Sequence, residues 1–327
     1  MTKERSWWRS DLAEEGSARA GFGGPGAEES KKDEKTGREE GKTPGTAANG
    51  AGVSAREGYT YEEEERDGIR TARMTISNKE ASRVCGRPVG RYVTLSFGAP
   101  WLFGREEKER LARAAAGELQ ALFGKELSKK EHPFLAVGLG NRRMTSDSVG
   151  PAVVSKITVT GQVKDDGELL ALLGGRRVYA FSPGVLGDSG MESAEQTRGV
   201  CRCCAPDAIL VVDALAAGSA GRLCTTIQLT DAGISPGSGV GNDRPAFNRA
   251  YFGVPVFAAG VPTVVDSSSL IGSALGEAGV DLSVLPEKLL KTLEGGRDFF
   301  VSPKEIDAAV EVLSDVLAAA VDMALLE

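Results

Sequence analysis

The spacing of apolar residues predicts strands in the first ordered part of the chain and then a long helix. Apolar and polar residues alternate over 69–76 and again over 91–97, which is the period of a strand with one buried face. From 106 to 123 the apolar residues instead recur every three or four positions, as on one side of a helix. The residues that share this helical face are Leu111, Ala114, Ala115, Leu119 and Leu122.

Beyond this helix the chain alternates between continuous apolar runs and helical segments. The apolar runs cover 134–140, 178–181, 208–215 and 254–265. The last run contains Pro262, and segments 149–159 and 192–203 suit helices between the runs. Continuous apolar strands that alternate with helices are typical of strands buried on both faces. We therefore predict an α/β fold in which a mostly parallel sheet is covered by helices on both faces.

The last element is a helix at the end of the chain. Ser302 offers an N-cap, Pro303 a first-turn proline and Glu305 the glutamate of a capping box. This pattern predicts a C-terminal helix that docks on the core by one face. The apolar residues of that face are Ile306, Val310, Leu313, Leu317, Val321 and Ala324.

The region before residue 59 has a composition unlike that of the rest of the chain. Between 16 and 55 the only large apolar residues are Phe22 and Val53, so the segment cannot offset its ordering entropy by burial. We interpret 16–58 as a disordered linker and 59–327 as a single α/β domain.

Composition and charge exclude several classes of protein. The 327 residues carry a formal net charge of −7, which argues against a phosphate-neutralising surface and hence against direct nucleic-acid binding. Five cysteines are too few, and odd in number, for a secreted disulfide scaffold, so a reducing cytoplasm is expected. No apolar run is long enough to span a bilayer, and the N-terminus lacks the apolar core of a signal peptide.

Histidine is the scarcest of the residues that carry chemistry. His132 is the one histidine, so a mechanism with two histidines or a His-rich zinc site cannot be built within one subunit. Cys201, Cys203 and Cys204 form a dense cluster, but they fall in a predicted helix without a CxxC partner. We interpret them as buried small apolar residues rather than as metal or redox groups. We therefore predict no metal and no cofactor.

Carboxylates at the ends of the buried strands are the strongest candidates for chemistry, because ligands of open α/β sheets bind beyond the carboxyl ends of the strands. Asp147 follows the first apolar run at the start of the next helix, where the alternative is a helix N-cap. Asp213 lies inside the run 208–215, where the alternative is a paired structural aspartate. Asp266 is a weaker candidate that suits the cap of the following helix.

Two carboxylates that meet at adjacent strand ends would form a coupled acid/base pair. At a separation of about 4 Å and an effective dielectric of about 20, like charges repel by roughly 4 kcal/mol, which corresponds to about 3 pKa units. One carboxyl then holds its proton and polarises a carbonyl while the other activates water, which is the chemistry of aspartic proteases. The sequence leaves open whether Asp147 and Asp213 meet.

Short motifs follow one another in a specific order from about residue 134 to the C-terminus. They are Gly-Leu-Gly-Asn at 138–141, Asp-Ser-Val-Gly-Pro at 147–151, Ser-Pro-Gly-Val-Leu-Gly at 182–187, Gly-Met-Glu-Ser at 190–193, Pro-Asp at 206–207, Asp-Ala-Leu-Ala at 213–216, Thr-Thr-Ile-Gln at 225–228, Asp-Ala-Gly-Ile at 231–234, Pro-Gly-Ser-Gly-Val-Gly-Asn at 236–242, Gly-Val-Pro-Thr-Val-Val-Asp at 260–266 and Val-Ser-Pro-Lys-Glu at 301–305. Together they resemble the germination protease family of endospore-forming bacteria.

The resemblance implies an endopeptidase that initiates the degradation of small acid-soluble spore proteins during germination. It implies a fold similar to that of the hydrogenase maturation proteases, and it assigns catalysis to Asp147 and Asp213. We interpret the glycine-rich loop 237–242 as a substrate-contacting or hinge loop. The residues expected to bind or support the substrate are Gly138, Asn141, Ser238, Asn242 and Asp266.

The same resemblance gives the N-terminus a role. Family members are made as inactive tetrameric zymogens that remove their own propeptide, which implies a homotetramer in the cytoplasm of the forespore or spore core. Residues 9–13 look like the family's processing sequence, with the cut between Asp11 and Leu12. Residues 1–15, which include the aromatic pair Trp7-Trp8, would then be a propeptide-like segment that occupies the site until the spore is ready.

Two features depart from the family's pattern, and other functions compete with it. The stretch 267–300 is shorter and the linker is longer and richer in Gly, which bears on regulation or assembly more than on chemistry. A hydrogenase-maturation-like peptidase, whose carboxylates bind a metal presented by the substrate, is disfavoured by the lack of a suitable downstream histidine. An inactive relative that only binds spore proteins is disfavoured by the presence of both aspartates. A peptidyl-tRNA hydrolase is disfavoured by the low basic charge and the missing catalytic histidine.

Overall fold

The protein is described by a computed structural model that covers residues 52–56, 58–127, 132–163, 166–237, 244–280, 285–295 and 299–327. The strands of this described part are β1 (Gly52–Arg56), β2 (Tyr59–Arg66), β3 (Ile69–Ile76), β4 (Gly90–Ser96), β5 (Phe134–Gly138), β6 (Val178–Phe181), β7 (Ala208–Ala217), β8 (Thr226–Thr230), β9 (Val256–Asp266) and β10 (Phe300–Val301). Its helices are α1 (Lys79–Cys85), α2 (Arg105–Phe123), α3 (Val149–Val154), α4 (Gly167–Leu172), α5 (Leu186–Ser189), α6 (Ser193–Cys204), α7 (Arg249–Phe252), α8 (Ser267–Glu277), α9 (Glu287–Gly295) and α10 (Ile306–Leu326).

The strands form one mixed sheet in the order β1-β2-β3-β4-β8-β9-β7-β5-β6, with β10 added to the end of β9. β5 pairs in parallel with β6 and β7, and β7 pairs in parallel with β9. These four strands coincide with the continuous apolar runs of the sequence. The predicted α/β fold class is therefore confirmed.

The prediction that the sheet is mostly parallel is wrong, because the other strand pairs are antiparallel. β2 and β3 are joined by the two-residue turn Asp67-Gly68, in which both residues have positive φ, 54° and 76°. Such a turn matches the twist of two antiparallel strands and sets their register. The antiparallel half then continues through β4 and β8 to β9, where the parallel half begins.

β1 lies inside the segment that the sequence predicts to be a disordered linker, so this prediction does not hold for Gly52–Arg56. Backbone pairing with β2 orders these residues, from Gly52 opposite Glu63 to Arg56 opposite Tyr59. Pairing through the backbone leaves no mark in the apolar pattern. Residues 1–51, with the propeptide-like segment and the predicted cut between Asp11 and Leu12, lie outside the described residues.

Helices cover both faces of the sheet, as predicted. Successive residues of a strand point to opposite faces, and β5 shows this clearly. Phe134 and Ala136 pack with α2, α3 and α10 in one cluster of buried residues. Leu135 and Val137 pack with α6 and α7 in another cluster on the opposite face. β5, β7 and β9 are thus almost wholly buried, while the edge strand β6 is partly exposed. The ends of the three buried strands are therefore the place to look for a site.

The C-terminal helix α10 docks by the predicted face, on which Val310, Leu313, Leu317 and Val321 are buried. Its predicted start is wrong, because the helix begins at Ile306 and Glu305 takes the N-cap position without a side-chain hydrogen bond. The residues just before it belong instead to β10 and to its connection with α10. Among the helices of the described ranges, none combines the length and hydropathy of a membrane span.

Candidate active site

A cavity of about 330 Å³ opens beyond the carboxyl ends of β5, β7 and β9. Most of its lining is apolar side chains and glycine. Its titratable side chains among the described residues are Asp147, Glu192, Asp213 and Arg244. The cavity therefore brings the two predicted catalytic aspartates to one place, together with a third carboxylate and one guanidinium.

Asp147 ends a single 3-10 turn, Thr145–Asp147, that lies between β5 and α3. The backbone N–H of Asn141 donates a hydrogen bond of 2.8 Å to its Oδ2 atom. Gly140 has a φ of +113°, and a Cβ atom at this position would lie 2.0 Å from the carbonyl oxygen of Asp147. Glycine is required at residue 140 because the chain both adopts this φ and passes close to the aspartate.

A second close approach presses the start of α3 onto the end of β5. A Cβ atom on Gly138 would lie 2.2 Å from the carbonyl oxygen of Gly150, and one on Gly150 would lie 2.3 Å from that of Leu139. The N–H of Leu139 also donates to the carbonyl of Val212 in β7 at 2.8 Å. These contacts hold the connection that carries Asp147 against the parallel strands.

Three effects act on the carboxyl group of Asp147. Burial is the largest and raises its pKa, while the hydrogen bond from the Asn141 N–H and the positive charge of Arg244 lower it. The net result is a raised pKa. A carboxyl in this environment takes up a proton more readily than a solvent-exposed aspartate does.

Asp213 lies in β7, which is paired on one side with β5 and on the other with β9. Only 6% of the residue is exposed. Its Oδ1 atom accepts a hydrogen bond of 2.9 Å from the N–H of Ala214. Because β7 is paired on both sides, the backbone that carries Asp213 is held firmly in the sheet, and the residue lines the cavity.

The comparisons with known proteins point to one family. The family model for the germination protease matches residues 40–276. The chain is 38% identical to the germination protease of Caldanaerobacter subterraneus subsp. tengcongensis over 290 residues, which cover 82% of this chain and 88% of that protein. It is 35% identical to the germination protease of Clostridium acetobutylicum over 306 residues, covering 84% and 93%. The chain belongs to the germination protease family. The resemblance seen in the sequence is confirmed, and the chain is a peptidase of spore germination.

Two further similarities accompany this assignment. The germination protease of Bacillus subtilis is 37% identical over 231 residues, which cover 70% of this chain and 62% of that protein. A crystal structure of a [NiFe] hydrogenase maturation protease, HycI from Thermococcus kodakarensis KOD1, is 16% identical and covers 61% of this chain and 98% of that one, with a TM-score of 0.31. This score is too low to carry an argument, so the family assignment rests on the sequence comparisons.

The other predicted site residues of this germination protease have different surroundings. Asp266 caps α8, where it accepts hydrogen bonds from the N–H and the hydroxyl of Ser269 at 2.9 and 2.6 Å, so its predicted capping role is confirmed. Asn141 meets Asp147 through its backbone, and Gly138 lies beneath α3 outside the cavity lining. The N-cap alternative for Asp147 is wrong, because Ser148 is the N-cap residue of α3. Ser238 and Asn242 lie outside the described residues.

The cysteine cluster lies on α6, as predicted. Burial raises the pKa of the Cys201 thiol to about 11 and also raises that of Cys204. Cys203 is exposed, so the prediction of burial is wrong for this residue. In the ranges that the structure covers, no group of three or more His, Cys, Asp and Glu side chains is arranged to hold a metal ion.

Residues of the cavity that the sequence analysis did not predict as site residues include Glu192, Arg244 and Thr263. Arg244 stands just after the glycine-rich loop, three residues before Phe247, which is buried and exchanges two backbone hydrogen bonds with Ile234. No sequence pattern marks this arginine. Thr263 follows Pro262, and a proline inside a buried strand is a recognisable sign of a bulge.

Proposed function

We propose that this chain is an endopeptidase that initiates the degradation of small acid-soluble spore proteins, with Asp147 and Asp213 as a coupled acid/base pair. The observation that carries the proposal is that both carboxyl groups line one cavity at the carboxyl ends of the parallel strands. Family membership supports the substrate class and the peptidase activity. Burial raises the pKa of Asp147, which supports a site in which this carboxyl takes up a proton more readily than an exposed aspartate does.

The reaction then needs only these two groups and a water molecule. The protonated carboxyl donates a hydrogen bond to the carbonyl oxygen of the scissile peptide bond, and the ionised carboxylate removes a proton from the attacking water. The hydroxide adds to the carbonyl carbon and forms a tetrahedral intermediate. Collapse of this intermediate breaks the C–N bond, and the leaving nitrogen takes up a proton from the carboxyl that received it from water.

The proposed activity includes self-processing. We infer that the chain is made as a zymogen, that it cleaves itself between Asp11 and Leu12, and that it acts as a homotetramer in the cytoplasm of the forespore or spore core. The sequence Arg-Ser-Asp-Leu-Ala at 9–13 supports this inference by its resemblance to the processing sequence of the family.

Isosteric substitution tests the aspartate pair. The processed chain, which begins at Leu12, and its Asp147→Asn and Asp213→Asn variants are incubated with a purified small acid-soluble spore protein, with and without EDTA, and the products are identified by mass spectrometry. We expect each variant to lose cleavage by about 1,000-fold or more, and the parent to keep its rate in EDTA. Asp166→Asn is the matched control, since Asp166 is an exposed N-cap and asparagine caps helices equally well.

Each departure from this result has a definite meaning. Full activity in either aspartate variant would remove that residue from the mechanism. Loss of the parent's activity in EDTA would favour the metal-linked peptidase. A folded parent that binds the spore protein and leaves it uncut would favour the inactive relative.

A further inference from the structure

Thr263 lies at an irregularity between the two strands at the centre of the site. Across β7 and β9, Leu215 faces Pro262 and Ala216 faces Val264, so Thr263 is an extra residue in β9. An inserted residue of this kind bends its strand and redirects a side chain. The irregularity begins two residues beyond Asp213, on the side of β7 where the cavity lies.

The bulge directs the Thr263 hydroxyl to the turn that carries Asp147. Its Oγ1 atom donates a hydrogen bond of 2.5 Å to the carbonyl oxygen of Ser146, the central residue of the turn. Thr263 has no exposed surface, so bulk water does not compete for this bond. Because the hydroxyl donates its hydrogen bond to the backbone, its role in the site is structural.

The other hydrogen bonds that we describe at this turn are local. The Asn141 N–H donates to the Asp147 carboxylate, the Asp147 N–H donates to the Met144 carbonyl at 2.8 Å, and the Ser148 hydroxyl donates to the Thr145 carbonyl at 2.8 Å. These bonds shape the turn without reaching β9. The threonine hydroxyl ties it to β9, and β9 pairs directly with the strand that carries the second aspartate.

We propose that Thr263 is a positioning residue that sets the separation and orientation of the Asp147 and Asp213 carboxyl groups. The inference rests on the proposed function, because a coupled pair shares one proton only when its carboxyl groups are held close together. A shift of about 1 Å in a catalytic group lowers a rate by about 100-fold. The Thr263 bond is placed to prevent such a shift, since it joins the turn that carries Asp147 to β9, which pairs directly with the strand that carries Asp213.

The test compares Thr263→Val, which removes the hydroxyl at constant shape, with Thr263→Ser, which keeps it. Thr160→Val is the matched control. Thr160 is also without exposed surface and donates a hydrogen bond of 2.5 Å to a backbone carbonyl, that of Arg176, but it does not line the cavity. Its hydroxyl also accepts the Val178 N–H at 2.8 Å, so its loss should cost stability at least as much as the loss of the Thr263 hydroxyl. Thr263→Ala is a second variant without the hydroxyl, so that a folding defect in one variant does not decide the outcome. All assays use the processed chain, which begins at Leu12, at temperatures below the unfolding midpoint of the least stable variant.

We expect Thr263→Val and Thr263→Ala to lower kcat for cleavage of a small acid-soluble spore protein by about 10- to 100-fold with KM unchanged. Thr263→Ser should restore kcat to within about threefold of the parent. Thr160→Val should lower the unfolding midpoint and leave kcat unchanged. A residue that only packs would lower stability without this split between kcat and KM, and serine would not rescue it.

Three results would overturn the positioning role: a parental kcat in the variants without the hydroxyl, no rescue by serine, or an equal loss of kcat in Thr160→Val. The aspartate variants separate this failure from a failure of the proposed function. If Asp147→Asn and Asp213→Asn are inactive while Thr263→Val is fully active, only the positioning role is wrong. If the aspartate variants are active, the proposed function is wrong.

Discussion

The carboxyl group of Asp147 is held where burial opposes its charge, and the Asn141 N–H and Arg244 offset this only in part. In the unfolded chain the same group is hydrated and has its ordinary pKa. Because the folded state raises the pKa, the neutral form is favoured by folding. The stability that this aspartate contributes is therefore fully present below its unfolded pKa and is lost as the pH rises through its folded pKa.

This linkage predicts that Asp147→Asn stabilises the protein while it abolishes cleavage. Asparagine resembles the neutral carboxyl at every pH, and its side-chain oxygen can still accept the Asn141 N–H. We expect the free energy of unfolding of the variant to exceed that of the parent at about pH 7, and the difference to vanish below about pH 4. Urea unfolding across this range measures it. A variant that is less stable than the parent at about pH 7 would show that burial does not disfavour the charged form of Asp147.

At the scale of elements, Asp266 connects β9 to α8. It accepts the N–H and the hydroxyl of Ser269, and both residues are buried. We expect Asp266→Ala to lower the free energy of unfolding by about 1 kcal/mol, and Asp266→Asn to lower it by less, because asparagine also caps helices. Urea unfolding of the two variants side by side checks this. Equal losses would mean that the charge, rather than the cap, is what stabilises α8.

The buried elements were predictable from the sequence because their apolar residues are continuous or periodic. β7, α2 and the buried face of α10 follow directly from such patterns. The antiparallel half depends instead on the turn at Asp67-Gly68, whose positive φ values are a matter of local backbone geometry. β8 was missed because Thr226–Thr230 is short and interrupted by polar residues, and it is ordered by pairing with β4 and β9.

In the candidate site, the two aspartates were predictable from the sequence, but their arrangement was not. Asp147 and Asp213 stand out as carboxylates at the ends of apolar strands. Their presence in one cavity depends on which strands are neighbours, and β5 and β7 are separated in sequence by β6. Pro262 indicates a bulge in β9, but the contact of Thr263 with the turn depends on the register of β7 against β9, which is set by tertiary pairing. Sequence thus indicates the residues, and tertiary pairing brings them together.

For the molecule as a whole, Arg176 joins three distant segments. Its guanidinium donates to the carbonyl oxygens of Leu127, His132 and Leu325 at 2.8, 3.0 and 3.4 Å, and the residue is only 4% exposed. These carbonyls belong to the turn after α2, the chain before β5 and the last turns of α10. Arg176 therefore secures the C-terminal helix to the edge of the parallel sheet through hydrogen bonds to uncharged backbone carbonyls.

Replacing this residue should lower stability in a way that salt does not change. We expect Arg176→Met to lower the free energy of unfolding by roughly 3 kcal/mol, because it leaves buried carbonyls without donors. Lys156, which follows α3, contrasts with Arg176, since it pairs with Glu311 and Asp315 of α10 at 3.0 and 2.6 Å. The loss from Lys156→Met should shrink when salt is added. The free energy of unfolding of both variants is measured at low and at high salt. A loss in Arg176→Met that depends on salt would contradict the conclusion that Arg176 acts through uncharged carbonyls.

The central claim is that Asp147 and Asp213 act as one unit in one cavity. The most direct test is a comparison of kcat/KM for Asp147→Asn, Asp213→Asn and the double variant, with a small acid-soluble spore protein as substrate. Residues that work as a unit are strongly non-additive, so we predict that the double variant is no slower than the slower single variant. If the two losses multiply in the double variant, or if either single variant keeps the parental rate, the two aspartates do not form a catalytic pair.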